Sequence, residues 1–574
     1  MKKSYMKAKR EVKTAQELLE AILELRDIPG MDWFRASLMD SPLYTNANGF
    51  KEVSEVIHEI LHNKEKKVAI VVDSDADGFS AATILTLWFR RRGIEVVAYQ
   101  HPGKRHGYPK VADLVEQLGY KPDYVIVSDA GTSDQDVQRE YIQEGIISCV
   151  LDHHEPSVEL DELLVPTINY FAYKQPQPCE NPDLSGSSIV FKFVQAYDSL
   201  EGADYHDGLS AFAALGTIAD VMKLNNMSTK GIINDAFMRP TKDLPDFFQV
   251  ALSQDARLYD TNHITPFVVG WYIAPFINGV IRVGTTEEKN RLLRLMSGAD
   301  DVATMRKEYD DLFRLKTQQD SQKNTAVENM VIRLRLDGAD EHAVIIAELP
   351  GDLPSTMSGL IAGEVASSYV RPALVGRRVK QADGTYQIVG SGRAPGGVGI
   401  DNFKDICNDS GLFVFAAGHQ SAFGFAFEEK NKKEIVAYLD SKVPEPSATF
   451  SPDIAISEKA TKEDLDNMFD LINQLRDHWG KGFEECLLSG VLIKNQITYE
   501  YIGAKSNVLK MKTPAGLELI KFRVTEEEKK HVAELMESDD FFLVYYGRGS
   551  LNEWNGNTTN QVILDDITTK DLSF

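Results

Sequence analysis

Residues 73–78 read Asp73-Ser74-Asp75-Ala76-Asp77-Gly78, carboxylates at alternate positions directly after the apolar run Val68-Ala69-Ile70-Val71-Val72. A run of that length and composition predicts a strand buried on both faces, so the acids stand at its end. Carboxylates crowded at a buried edge cannot all ionise cheaply without a cation. Asp129 follows a second such run at Tyr124–Val127, and Asp152-His153-His154 follow a third at Ile147–Leu151. Asp220 closes a helical stretch ending in Gly216-Thr217-Ile218-Ala219. Oxygen ligands mixed with imidazole suit Mn²⁺ or Mg²⁺ better than a thiolate zinc site. Several carboxylates can bridge two ions, and a metal pair activates water and holds both oxygens of an in-line phosphoryl displacement. A single acid at a strand end is often only a helix N-cap; four segments converging on one edge are not explained that way.

The elements that must position these groups follow from periodicity. Buried strands at Val68–Val72, Ile94–Tyr99, Tyr124–Val127 and Ile147–Leu151 alternate with helical patterns, which predicts a parallel α/β sheet. Ligands of such sheets sit outside the carboxyl ends of the strands, where these acids and imidazoles fall. Residues 286–333 carry apolar residues at helical spacing with no proline, a candidate bridge between two lobes. A second α/β region follows, with glycine-rich stretches at Gly390–Gly399 and Gly418–Gly424. Residues 446–455 read as a linker, and 486–574 switch to short β-type runs, predicting a small antiparallel barrel or sandwich.

The chain has 574 residues, 43% hydrophobic and 26% charged, which fits several soluble globular domains. No membrane span is expected, and the basic start lacks the apolar core of a signal peptide. Cys149, Cys179, Cys407 and Cys486 form no CxxC pair, which fits a reducing cytoplasm. The net charge of −24 argues against a uniformly basic nucleic-acid binder while leaving room for local basic grooves. No GxxxxGK[ST], no GxGxxG after a strand and no GxSxG elbow are present, so triphosphate, dinucleotide and serine-hydrolase chemistry lose support. His58-Glu59-Ile60-Leu61-His62 matches the HExxH zinc-protease pattern. Its apolar face of Val53, Val56, Ile57, Ile60 and Leu61, and the lack of a third ligand, favour an ordinary solvated helix face.

VVDSDADG, Asp129, LDHH and GTIADV together resemble the motifs of the DHH phosphoesterase superfamily, and AGHQSAFG resembles the glycine-histidine motif of its DHHA1 partner domain. Followed by a barrel-like region, the order over roughly residues 50–574 resembles the RecJ-type single-strand-specific 5′→3′ exonucleases. The resemblance implies an α/β fold with a parallel-sheet DHH domain (51–285), after a helical lead-in (1–50). A long connecting helix (286–333) then leads to a smaller DHHA1 domain (334–445). A linker and helix (446–485) and an OB-like nucleic-acid-binding barrel (486–574) complete it. It implies two divalent ions, Mn²⁺ or Mg²⁺, on Asp75, Asp77, Asp129, His153 and Asp220, with Asp73 and His154 as catalytic neighbours.

Arg105 and Tyr108 resemble the arginine and Gly-Tyr stretch after the first motif, and Ser391 and Arg393 the Ser-x-Arg element. Together they imply a pocket for a 5′-terminal phosphate, which guanidinium grips as a fork. Asn278 and Arg282 match an Asn-x-x-x-Arg stretch that implies DNA-backbone contact, and His419 implies a phosphate contact between lobes. Ala417-Gly418 stands where the family has two glycines, and Ala394-Pro395-Gly396-Gly397-Val398-Gly399 is richer in glycine than its pattern. In the barrel, Lys510, Lys512, Lys521 and Arg523 lie near Phe522, Tyr545, Tyr546 and Trp554, a combination that stacks bases and tracks phosphates. The implied function is release of mononucleotides from single-stranded DNA in recombination and repair, by a cytoplasmic monomer working with a single-strand-binding protein. The alternatives are a phosphodiesterase of short oligonucleotides or cyclic dinucleotides and a non-catalytic replication scaffold of the Cdc45 kind.

Overall fold

The Val68–Val72 strand pairs in parallel with Val96–Gln100 on one side and Tyr124–Ser128 on the other. Ile147–Leu151 and Thr167–Ile168 extend the sheet beyond Tyr124–Ser128. The second strand thus lies on one side of the first and the third on the other, the reversal that opens a crevice at the carboxyl ends. Every residue of Val68–Val72 and Tyr124–Ser128 is buried because helices cover both faces. Ile70, Val72, Ile126 and Leu151 join a core with Phe79, Leu85 and Phe191. The alternate residues Ala69, Val71, Val125 and Val127 join a second core with Leu114 and Tyr141. Each large side chain buried this way contributes about 1.5–3 kcal/mol. The computed structural model describes residues 2–156, 162–258, 263–336, 338, 341–351, 353–395, 400, 402–444, 447–503, 505–554 and 557–569.

Two helices, Thr286–Met296 and Val302–Leu336, replace the single connector expected at 286–333. Gly298, in the left-handed region at φ 55°, ends the first of them. The second has 35 residues and spans about 50 Å. Its first turns place Met305, Tyr309 and Leu312 in the core of the parallel-sheet lobe, with Tyr309 stacked 4.5 Å from Phe276. Its far half gives Ala326, Val327, Met330 and Leu334 to the second lobe, beside Ile361 and Val365. The second lobe is a five-stranded sheet in the order Phe413–His419, Ala422–Glu428, Tyr386–Arg393, Ala373–Lys380, Ile345–Glu348. Only the last pair is parallel. Gly390 and Gly392 lie on the central strand, while residues 396–399 of that glycine-rich stretch lie outside the described residues.

The ends of the chain depart from the expected organisation. The N-terminal segment is not a separate helical lead-in. Lys2–Tyr5 pairs with Ser447–Phe450, and Arg10–Val12 pairs with Ile454–Ile456 in the C-terminal sheet. Val12, Leu18, Ile22 and Trp33 share one core with Met468, Phe469, Ile472 and Tyr545. Strands of three or four residues are too short to show an alternating pattern, so this pairing was invisible before folding. The same pairing turns much of the expected 446–455 linker into strand. The C-terminal β-rich unit is one mixed eight-stranded sheet, with two 13-residue strands, Phe542–Trp554 and Asn557–Thr569, at its centre. The expected turn at 555–556 lies outside the described residues. Among them, Pro266–Val283 alone is long and apolar enough to cross a membrane; its Phe276, Ile277 and Val280 are fully buried in the first lobe's core.

Candidate metal centre and phosphate pocket

The first lobe brings Asp73, Asp75, Asp77, Asp129, His153 and Asp220 to one crevice. Asp75 caps the Ala76–Arg91 helix, its Oδ1 accepting from the backbone N–H groups of Asp77 and Gly78, each at 3.1 Å. Asp77 accepts from the N–H groups of Gly186 at 2.8 Å and Ser187 at 3.2 Å, the first residues of the Gly186–Glu201 helix. Two helix N-termini therefore face the acids, where their dipoles favour negative charge. Asp129 holds a left-handed backbone at φ 65°, and its N–H donates to the Leu151 carbonyl at 2.8 Å. That conformation costs a non-glycine residue about 1–2 kcal/mol, a strain common at functional sites. His153 Nε2 lies 3.2 Å from Asp129 Oδ1, 3.6 Å from Asp220 Oδ2 and 3.9 Å from Asp77 Oδ2. A Cβ at Gly186 would sit 2.4 Å from Asp129 Oδ1, and one at Gly216 only 1.9 Å from Asp77 Oδ1. Only glycine lets the helices that carry these two residues, Gly186–Glu201 and Ser210–Ala219, come so close to the carboxylates.

The electrostatics show an excess of buried negative charge. Burial, then the charges of Asp77 and Asp75, hold the Asp129 carboxyl well above the usual range. The same causes push Asp220 up to about 8. Burial lifts Asp73 to about 6 against the opposing hydrogen bond of His106, and burial pushes the His153 imidazole down. Asp129 Oδ1 and His153 Nε2 are buried with no hydrogen-bond partner. Three groups each place their ligand atoms within 4.8 Å of one another: Asp129, His153 and His154; Asp77, His153 and Asp220; Asp73, Asp75 and His106. Crowded carboxylates, an orphaned imidazole nitrogen and hard oxygen donors fit divalent ions of the Mn²⁺ or Mg²⁺ type.

Two Asp–His pairs flank this cluster. Asp152 Oδ1 accepts from the N–H groups of His153 and His154 and lies 2.9 Å from His154 Nδ1. Its Oδ2 accepts from the Thr132 N–H and hydroxyl. Both oxygens are thus occupied, so Asp152 orients its neighbours instead of ligating, contrary to its reading as one more ligand. Burial disfavours the His154 charge, but the bond and charge of Asp152 outweigh it and push the imidazole up to about 9. On the other flank His106 Nδ1 lies 2.6 Å from Asp73 Oδ2, and the Gly107 N–H donates to Asp73 Oδ1 at 3.3 Å. Sequence reasoning gave His106 no role; its place beside Arg105, in a loop already singled out, was the available signal.

Beside the acids lies a cavity of about 430 Å³, lined by Lys104, Arg105, Arg282, Thr356, Ser358, Ser391 and Arg393 among others. Arg105, Ser391 and Arg393, from both lobes, line this cavity, and so does Arg282, which the resemblance instead paired with Asn278 as a DNA-backbone contact. Ser391 Oγ lies 2.9 Å from Ser358 Oγ, and Arg393 Nη1 donates to the Gly392 carbonyl at 2.7 Å. A Cβ at Gly359 would sit 2.6 Å from Arg393 Nη2, so a glycine admits the guanidinium. Burial pushes both Arg282 and Arg393 down, Arg393 further because Arg282 is near. Cations held together against burial and repulsion make a site for an anion. Lys104 was missed because no motif covers it.

Other candidates fall elsewhere. Tyr108 is a correction: it is buried, its hydroxyl donates to Ser148 Oγ at 3.0 Å, and its ring packs edge-on against Tyr141, so it sits in the core and not among the residues lining the pocket. Asn278 lines a different cleft of about 680 Å³, between the first lobe and the C-terminal sheet, with Phe267, Trp271, Arg476 and Arg548. His419 is exposed at the end of its strand, two strands across from Arg393 through Ala422. In the HExxH helix, His62 Nδ1 is bound to the His58 carbonyl and Glu59 accepts from Tyr124, and no metal-ligand group includes them among the described residues. Of the C-terminal aromatics, Tyr545 and Tyr546 are core and Phe522 is exposed; the Trp554 side chain lies outside the described residues.

Residues 67–217 match the DHH family, N-terminal domain. A putative SPbeta prophage-derived single-strand DNA-specific exonuclease of Bacillus subtilis is 24% identical over 550 residues, 91% of each chain. The single-stranded-DNA-specific exonuclease RecJ of Thermus thermophilus is 25% identical over 417 residues, 71% of this chain and 57% of that one. The crystal structure of that organism's RecJ with Mn²⁺ superposes with a TM-score of 0.76 at 19% identity, covering 99% of this chain and 80% of the other.

Proposed function

We infer that this chain, whose DHH domain and overall fold are shared with RecJ, is a divalent-metal-dependent exonuclease that releases mononucleotides from the 5′ end of single-stranded DNA. One observation carries the reading: the cationic pocket of Arg105, Arg282 and Arg393 opens beside the acidic centre, joined to it by the neighbouring His106 that binds Asp73. A terminal phosphomonoester carries about −2 charge near neutrality, more than an internal diester, and converging guanidiniums select it. A pocket that grips the end and a centre that cuts beside it make an enzyme that measures one nucleotide. The relatives named as single-strand-specific exonucleases support the same reading.

Asp75, Asp77, Asp129, His153 and Asp220 would hold the metal pair, with Asp73 beside them. Bound there, two divalent ions supply an activated water and charge stabilisation for the in-line displacement. The chain's own residues do the rest. Asp152 orients His154, whose half-exposed imidazolium donates to a phosphate oxygen in the crevice. Arg105, Arg282, Ser391 and Arg393 orient the 5′ end, and the exposed His419 of the second lobe meets a substrate phosphate. The remaining strand leaves along the larger cleft, where the exposed Phe267 and Trp271 stack bases and Asn278 and Arg476 meet the backbone. The enzyme acts in recombination and repair as a cytoplasmic monomer, on strands held by a single-strand-binding protein.

The test is digestion with Mn²⁺ of single strands labelled at either end, with and without a 5′ phosphate, against Asp129→Ala. Stepwise loss from the 5′ end, faster with the phosphate and absent in the variant, is the expected result. Cleavage of di- to tetranucleotides alone would move the reading to a short-oligonucleotide phosphodiesterase, and no cleavage at all to a scaffold.

A further inference from the structure

Lys289 is 2% exposed, yet no carboxylate pairs with it among the described residues. Its ammonium instead donates to two main-chain carbonyls, His101 at 2.9 Å and Gly103 at 2.7 Å. Burying an ammonium is costly, so a lysine used only for packing would be worse than a methionine of similar length. Two loop carbonyls with no strand partner are what the charge satisfies.

Those carbonyls open the loop that builds half of the pocket. Gly103 and Gly107 both take left-handed backbone, at φ 69° and 75°, so the chain doubles back between them. The loop is braced at three other points. His101 Nε2 lies 2.9 Å from the Gly107 carbonyl across its neck. Asp73 receives His106 and the Gly107 N–H, and Asp134 receives the Tyr108 N–H at 2.8 Å. Lys104 and Arg105 sit at the tip, on the wall of the phosphate pocket. Lys289 belongs to the Thr286–Met296 helix, and the next helix, Val302–Leu336, enters the core of the lobe that carries Ser391 and Arg393.

We propose that Lys289 is the positioning residue for end recognition: it ties the Lys104–Arg105 loop to the Thr286–Met296 helix, which packs in the first lobe's core, so that the first-lobe wall of the phosphate pocket is held in place opposite Ser391 and Arg393. Lys289 touches no substrate; it acts through the two carbonyls. This rests on the reading of that pocket as the 5′-phosphate site.

The experiment measures kcat and KM on matched 5′-phosphorylated and 5′-hydroxyl single strands for the full chain, with Mn²⁺ affinity by calorimetry as a check on the centre. Lys289→Met keeps the length and loses the donors. It is expected to raise KM for the phosphorylated strand roughly tenfold, leaving kcat, the hydroxyl strand and Mn²⁺ affinity within about twofold. Lys289→Arg, which keeps donors, should recover part of the preference. Gly103→Ala reaches the same loop without touching the core, since its Cβ meets only open space and strains φ alone. It should give a smaller loss of the same selective kind; if Lys289→Met does not fold, the matter is decided by Lys289→Gln, which is too short to hold both carbonyls and should lose the preference in the same way. Equal losses on both strands, a fall in Mn²⁺ affinity, or an unchanged phosphate preference would overturn the role given to Lys289. A wild-type enzyme indifferent to the 5′ phosphate would overturn the pocket reading itself.

Discussion

The acidic centre and the cationic pocket lie side by side but are built in different ways. The centre belongs to one lobe. Its acids follow strands of one sheet or cap its helices, and backbone N–H groups at two helix N-termini hold Asp75 and Asp77. The pocket is shared. Arg105 comes from a loop, Arg282 from the Ala274–Val283 helix, and Ser391 and Arg393 from a strand beyond the long connector. A charge cluster fixed by one sheet is insensitive to how the lobes stand; a pocket assembled across them is not. The chemistry is therefore expected to be robust and the end selectivity adjustable.

The largest effect should come from breaking the centre. Asp129→Ala removes a carboxylate that is buried and strained and whose Oδ1 has no hydrogen-bond partner. Activity should fall about a thousandfold or more on phosphorylated and hydroxyl ends alike. Loss on only one kind of end would contradict a centre separate from the pocket. Gly216→Ala leaves every ligand in place but sets a methyl where Asp77 Oδ1 lies 1.9 Å away. The carboxylate must move, and Mn²⁺ affinity should drop about tenfold to a hundredfold, read by calorimetry, with the fold retained. Unchanged affinity would mean that the close approach of the helix is not what aims Asp77.

Arg393→Ala tests the other side of the comparison. Removing one guanidinium from the pocket should cost about thirtyfold in kcat/KM on phosphorylated ends, mainly through KM. The hydroxyl-ended strand should be cut at nearly the wild-type rate. A matching fall on both would show that Arg393 serves the centre.

The difference in construction also explains what was legible in the sequence. Asp73, Asp75, Asp77 and Asp129 announce themselves because each follows a short wholly apolar run, and that one signal carries strand, sheet edge and charge together. His153 joins by the same logic, whereas Asp220 ends a helix and joins the set through the resemblance of GTIADV. The convergence of Arg105 with Arg393 is set by the lobe geometry, which no local pattern encodes. Lys289 and Lys104 carry no motif at all. Tyr108 misled because a Gly-Tyr pair reads as a site element, whereas its hydroxyl is spent on Ser148 inside the core. The N-terminal strands were hidden by their length, and their partners lie more than 400 residues away in the chain.

The smallest effect on activity should come from a third place that serves neither region. Lys230 joins the first lobe to the C-terminal unit: it is 1% exposed, its Nζ lies 2.9 Å from His478 Nδ1 and 4.4 Å from the Trp33 ring centre. Burial pushes its pKa down to about 7, and burial likewise pushes His478 down to about 4. Between pH 7 and the ordinary lysine value near 10.4 the unfolded chain binds a proton that the folded chain does not. The stability assignable to Lys230 therefore rises with pH across that window and is lost as pH falls through about 7. Lys230→Met removes the linkage. Relative to wild type it should be more stable at pH 7 by on the order of a few kcal/mol, read as a higher melting temperature, with the gap narrowing toward pH 10. Both the Mn²⁺ affinity and the phosphate preference should stay as they were. A melting gap independent of pH would mean that the ammonium stays charged over Trp33, held there by the aromatic face.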